Sequence, residues 1–114
     1  METAKLRSPT DSQTVPAMVL TKRLRDRLGE SLRKVVLFGS RARGDARADS
    51  DWDVLVLLDE VSPARRRLVE DTTFDVSMET EAIFAVAIAE QAQFEADRYE
   101  PLFVNVRREG IEML

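Results

Sequence analysis

Asp51 and Asp53 stand one residue apart where the apolar run "WDVLVLL" begins. In an extended chain, residues i and i+2 face the same way with Cα atoms about 7 Å apart. The two carboxylates therefore point together, and Trp52 points opposite. At an effective dielectric near 20, two such charges about 6 Å apart repel by roughly 2–3 kcal/mol. A divalent cation removes that repulsion. The chain holds no histidine and no cysteine, so only oxygen donors remain, and Mg2+ or Mn2+ is the natural guest.

Just upstream, the apolar stretch "VVLF" closes in Gly39-Ser40. Glycine lets backbone approach a ligand closely. Ser40 and the residues after it offer N–H groups and a hydroxyl to an anion. Arg41, Arg43 and Arg47 can add charge for phosphate, or they can pair in solvent with Asp45 and Asp49. Metal-binding acids, backbone donors and arginines around one spot point to a nucleoside triphosphate. Two metals clamping attacking and leaving oxygens are a standard means of phosphoryl and nucleotidyl transfer.

Other chemistries are excluded. Without His or Cys there is no Ser-His-Asp triad, no thiol nucleophile and no ordinary zinc site. "GSRARG" lacks the Gly-Lys-Ser/Thr of a Walker loop and the spacing of a dinucleotide fingerprint. Asp49, Asp51, Asp53 and Glu60 match positions of a calcium loop, but its sixth position, where glycine is needed, is Val54. The net charge of −4 argues against a protein that coats nucleic acid. No apolar run approaches 18 residues, so no membrane span is expected. The segment 1–14 has no signal-peptide core and reads as a disordered leader, with a single domain over 15–114.

The elements that must position these residues read as an α/β protein. Pro16, the stripe Ala17, Leu20, Leu24 and Leu28, and the stop at Gly29 predict a helix over 16–28. Short buried strands are expected at 35–38 and 52–58, the second covered on both faces. Ser62-Pro63 predicts the start of a helix reaching about residue 79. Phe74, Val76 and Met78 also alternate, so a strand at 74–78 is the competing reading. A third strand at 82–88, a helix at 91–98 and a last helix from Pro101 to Gly110 complete the order.

The run "GSRARGDARADSDWD" is Gly-Ser, ten residues, then Asp-x-Asp. It closely resembles the signature of the DNA polymerase β-like nucleotidyltransferase superfamily, especially its minimal nucleotidyltransferase (MNT) domains. The likeness is strong over 35–58 and weaker to the end, where "PLFVNVRREGIEML" looks like the tail of many such domains. The resemblance implies a small mixed β-sheet flanked by helices. It implies that Gly39 and Ser40, with Arg41 and Arg43 beside them, hold the triphosphate, and that Asp51 and Asp53 bind Mg2+ or Mn2+. It implies transfer of NMP, with AMP from ATP expected, to a hydroxyl. Many minimal members are antitoxins of HEPN-domain toxins, and some adenylylate the toxin. A HEPN partner, a cytoplasmic location and a homo- or hetero-oligomer are expected on that ground.

This sequence departs from the family in its third carboxylate, which active members carry on a neighbouring strand. Glu81, just before the third strand, is the first candidate. Asp75 replaces it if 74–78 is a strand, and Glu79 reads as a helix end. If none reaches the site, the alternative is a binding module that neutralises its partner by contact. Drug modification of the aminoglycoside type also fits the motif, but such enzymes usually carry a further domain.

Overall fold

The computed structural model describes Leu6 and residues 14–114. The expected leader thus lies outside the described residues, apart from Leu6, which packs against the core, and buried Thr14. Pro16 lies in the first turn of helix α1 (Val15–Leu28), whose Ala17, Leu20 and Leu24 form the fully buried stripe that their spacing predicts. A 3-10 turn at Gly29–Ser31 leads into β1 (Leu32–Phe38). Gly39 and the four-residue α2 (Ser40–Arg43) follow, then β2 (Trp52–Leu58). Helix α3 (Pro63–Thr80) is capped by Ser62, whose Oγ accepts the Arg65 N–H at 3.2 Å. Strand β3 (Phe84–Glu90), α4 (Gln91–Ala96), α5 (Pro101–Glu109) and a two-residue β4 (Ile111–Glu112) complete the chain.

The sheet is mixed, with order β3-β2-β1-β4. β1 runs antiparallel to both β2 and β4, and β2 runs parallel to β3. Helix α3 is the crossover that a parallel pair requires. Val54 to Leu58 are wholly shut off from solvent, as an apolar run covered on both faces demands. Val35, Leu37, Val54 and Val56 face α1 and α3, while Val36, Leu55 and Leu57 face Phe94 of α4 and Phe103 and Val106 of α5.

Three boundaries and one added strand differ from the sequence reading, while the helix expected through 74–78 is found. β1 starts at Leu32 because Leu32 and Lys34 already pair with Leu58 and Leu57. Residues 74–78 are helical, inside α3. β3 begins at Phe84 because Glu81 ends α3 in the left-handed conformation, φ 62°, with its N–H on Ser77 O. Helix α4 stops at Ala96, and β4 is too short to leave a pattern in the sequence.

Candidate active site

The two aspartates arrive at the entrance of β2 from opposite sides of Trp52. Trp52 is only 6% exposed and belongs to the α1–α3 core. Asp53 faces the other way, opposite Phe38 of β1 and beside Ala85 of β3. Asp51 is exposed, one residue before the strand. Burial pushes the Asp53 carboxyl above its ordinary range; Asp51 and then Glu109 add to the shift, and Arg43 opposes it. Asp53 is therefore a half-buried acid with acids around it, short of positive charge.

Gly39 brings the turn directly onto that carboxylate. Its φ is 75° and its ψ −159°, a region essentially reserved for glycine. A Cβ at this position would fall 2.2 Å from Asp53 Oδ2. Ala42 and Arg43 bond back to Gly39 O, both at 3.0 Å, and so start α2. The amides of Ser40 and Arg41 open that helix, where a helix leaves its donors without internal partners.

Of the two readings of the arginines, phosphate contact or pairing with nearby acids, the second describes Arg43. Arg41 donates to Ser50 O at 2.9 and 3.3 Å and to Ala48 O at 3.2 Å, with its guanidinium carbon 4.5 Å above the Trp52 ring. It staples the loop between α2 and β2 to the sheet. Arg43 is bridged to Asp45 at 3.2 Å and Glu109 at 3.0 Å, and these bonds hold it firmly protonated. Arg47 is exposed, in a turn closed by its N–H on Ser50 Oγ.

The candidate third acids lie apart from the pair. Asp75 is bound to Arg27 at 3.0 Å and Glu79 to Arg23 at 2.7 Å, both on the seam of α1 and α3. Glu81 is exposed at the end of α3 and lines a cleft of about 300 Å³ with Arg41, Asp49, Ser50, Trp52 and Ile83. Beside Asp53, β3 offers Ala85, and Ile83, just before β3, accepts the Trp52 N–H. Among the described residues, no three acids come close enough to hold one ion. The acid that does face Asp53 is Glu109, seventy residues beyond Gly39, whose N–H it accepts at 2.9 Å. The sequence reading passed over it; the glutamate just before the glycine that stops the last helix was the only signal.

The Gly39 turn and Asp53 meet at one spot, where the Gly-Ser-x10-Asp-x-Asp spacing was expected to gather backbone donors and acids. The family model described as "Nucleotidyltransferase domain" matches residues 18–106. The chain belongs to the nucleotidyltransferase domain family. No curated protein sequence matches it. Among solved structures, this nucleotidyltransferase domain is similar to a toxin–antitoxin complex with AMP-PNP: 18% identity, 87% of this chain and 72% of that one covered, TM-score 0.62. It is similar to the toxin–antitoxin MntA–HepT, with 16% identity, 89% and 71% covered, TM-score 0.57. It is also similar to a complex of tri-AMPylated Shewanella oneidensis HEPN toxin with MNT antitoxin, with 19% identity, 90% and 71% covered, TM-score 0.57. At such identities the likeness is one of fold, and the mixed sheet flanked by helices is the nucleotidyltransferase fold.

The donor set fits a hard divalent cation. Two carboxylate groups, one raised by burial and then by its acidic neighbours, gain most from a cation that takes oxygen ligands and completes its shell with water and phosphate.

Proposed function

We propose that this nucleotidyltransferase domain moves a nucleoside monophosphate from a nucleoside triphosphate, with ATP the expected donor, to a hydroxyl on a partner protein, releasing pyrophosphate. The observation that carries this reading is the Asp53 carboxylate, crowded by Asp51 and Glu109 and lying directly against the Gly39 turn. Asp51 and Asp53 would hold Mg2+ or Mn2+, which supplies charge neutralisation for the triphosphate when bound. Gly39 gives the backbone its close approach, and Ser40 and Arg41 present first-turn amides to phosphate oxygens. Arg41 and Arg43 serve by shaping the loop and the turn.

The partner we infer is a HEPN-type toxin, with this chain as its cytoplasmic antitoxin. The neighbours with AMP-PNP and with an AMPylated HEPN toxin support ATP as donor and such a protein as acceptor. The test is incubation with α-labelled ATP, Mg2+ and a HEPN-domain protein, taken from beside its gene where one is encoded there. Label is expected on the partner and is expected to be lost with Asp51→Asn. One observation favours a second reading, neutralisation by contact alone: the chain beside Asp51–Asp53 is Ile83, just before β3, and Ala85 of β3, with no acid. A partner that is silenced without acquiring label decides for it.

A further inference from the structure

The short strand β4 docks on β1 just after Glu109, the last residue of α5. It pairs Ile111 with Leu37 and Glu112 with Val36. Continuing that antiparallel register outward by two residues brings Glu109 opposite Gly39. Glu109 Oε1 accepts the Gly39 N–H at 2.9 Å, and Oε2 accepts from Arg43 Nη1 at 3.0 Å. One carboxylate, its side chain only 11% exposed, thus ties the residue before α2 to the last residue of α2. Gly39 also lies against Asp53, so the turn is gripped between two acids.

The carrier of Glu109 is rigid. At the next residue, Gly110, a Cβ would lie 2.4 Å from Val106 O and 2.6 Å from Val36 Cγ1. The end of α5 is therefore set down on β1 without an intervening side chain, and Phe103 and Val106 of the same helix are buried. Two donors, one a guanidinium, call for a carboxylate at this point, because an amide presents only one acceptor oxygen.

We propose that Glu109 is a positioning residue for nucleotide transfer: by bridging the Gly39 N–H and the Arg43 guanidinium, it fixes the phosphate-binding turn against Asp53. The role rests on the nucleotidyltransferase reading of the site. It differs from a third metal ligand, since Glu109 acts through the turn.

The experiment carries wild type, Glu109→Ala and Glu109→Gln through amide exchange at Gly39, calorimetric binding of Mg-ATP, and label transfer resolved into kcat and KM. In Glu109→Ala, exchange at Gly39 is expected to rise about tenfold or more while the β1–β2 ladder stays protected. Its kcat/KM for ATP is expected to fall about 10- to 100-fold, mainly through KM, as when a group that orients a ligand-binding residue is removed. Glu109→Gln keeps an oxygen for the Gly39 N–H but loses the second acceptor for Arg43, and is expected to fall between Glu109→Ala and wild type in both. If Glu109→Ala does not fold, Glu109→Asp, shorter by one methylene, carries the same expectation in smaller measure. A folded Glu109→Ala with wild-type kcat and KM overturns the role. So does tighter Mg-ATP binding, which would make the carboxylate a stand-in for phosphate. A wild-type protein that neither binds nor transfers nucleotide defeats the nucleotidyltransferase reading itself, and the positioning role with it, even where Gly39 exchange still reports the bridge.

Discussion

Acids gather in two regions of this molecule, and their surroundings are opposite. On the seam of α1 and α3, Glu79 takes two hydrogen bonds from Arg23, at 2.7 and 2.9 Å, and Asp75 takes one from Arg27 at 3.0 Å. The Arg23 guanidinium holds the Glu79 carboxyl below its ordinary range. At the mouth of β2, burial and the neighbouring acids push Asp53 up. Arg43, the cation that opposes this, is divided between Asp45 and Glu109. The seam is charge used as structure. The site holds charge that the fold leaves uncompensated, the usual mark of a place kept for a ligand.

The sharpest way to break the contrast is to push turn and carboxylate apart. In Gly39→Ala, the methyl would meet Asp53 Oδ2 at 2.2 Å, in a backbone conformation that L-residues avoid. The backbone alone should cost about 1–3 kcal/mol, read as a lower midpoint in denaturant melts. Stabilisation by Mg-ATP should vanish as well. A variant that keeps that stabilisation would show that the turn need not touch Asp53.

Asp53→Asn removes the crowded charge and barely changes shape. The apo protein should become as stable as wild type or more so at neutral pH, by at most about 1 kcal/mol, because the group is only partly buried and water screens it. The sign follows from the raised value in the folded state. Folding favours protonated Asp53, so its penalty is absent below the unfolded value of about 4. The penalty grows as pH climbs through the raised value, and it is complete at neutrality. Melts against pH should therefore show the advantage of Asp53→Asn fading as pH falls. A loss above about 2 kcal/mol at neutrality would make Asp53 a structural acceptor.

The difference between the regions also explains what the sequence could reveal. Ser62-Pro63, Pro16 and the run at β2 are local signals, and each placed its element. The aspartate pair and the Gly-Ser turn were legible because strand geometry and short spacing bring them together. Glu109 was not, because its contact with Gly39 depends on a two-residue strand. Arg41 and Arg43 stayed open between phosphate and nearby acids because charge is visible in a sequence and a particular partner such as Ser50 O or Glu109 is not. The late start of β3 turns on Glu81, a left-handed residue that carries none of the glycine or asparagine signal for such a position.

The smallest effect belongs to the seam and sharpens the comparison through its sign. Glu79→Gln removes the charge that Arg23 binds, while leaving an amide that still fills the same space. Both groups are solvent-exposed partners, so the loss at neutral pH should be modest, smaller than that of Gly39→Ala, and weaker in high salt. Its pH dependence should run opposite in sign to that of Asp53→Asn. Glu79 is lowered in the folded state, so its contribution is present above the unfolded carboxylate value and disappears as pH falls through the folded one. Wild type should therefore exceed Glu79→Gln at neutrality and meet it in acid, whereas Asp53→Asn should match or exceed wild type at neutrality and meet it in acid. Parallel thermal melts of the three proteins from neutral to acid pH measure both. If the two differences share a sign, the acids at the mouth of β2 are as well compensated as those on the seam, and their crowding no longer argues for a bound cation.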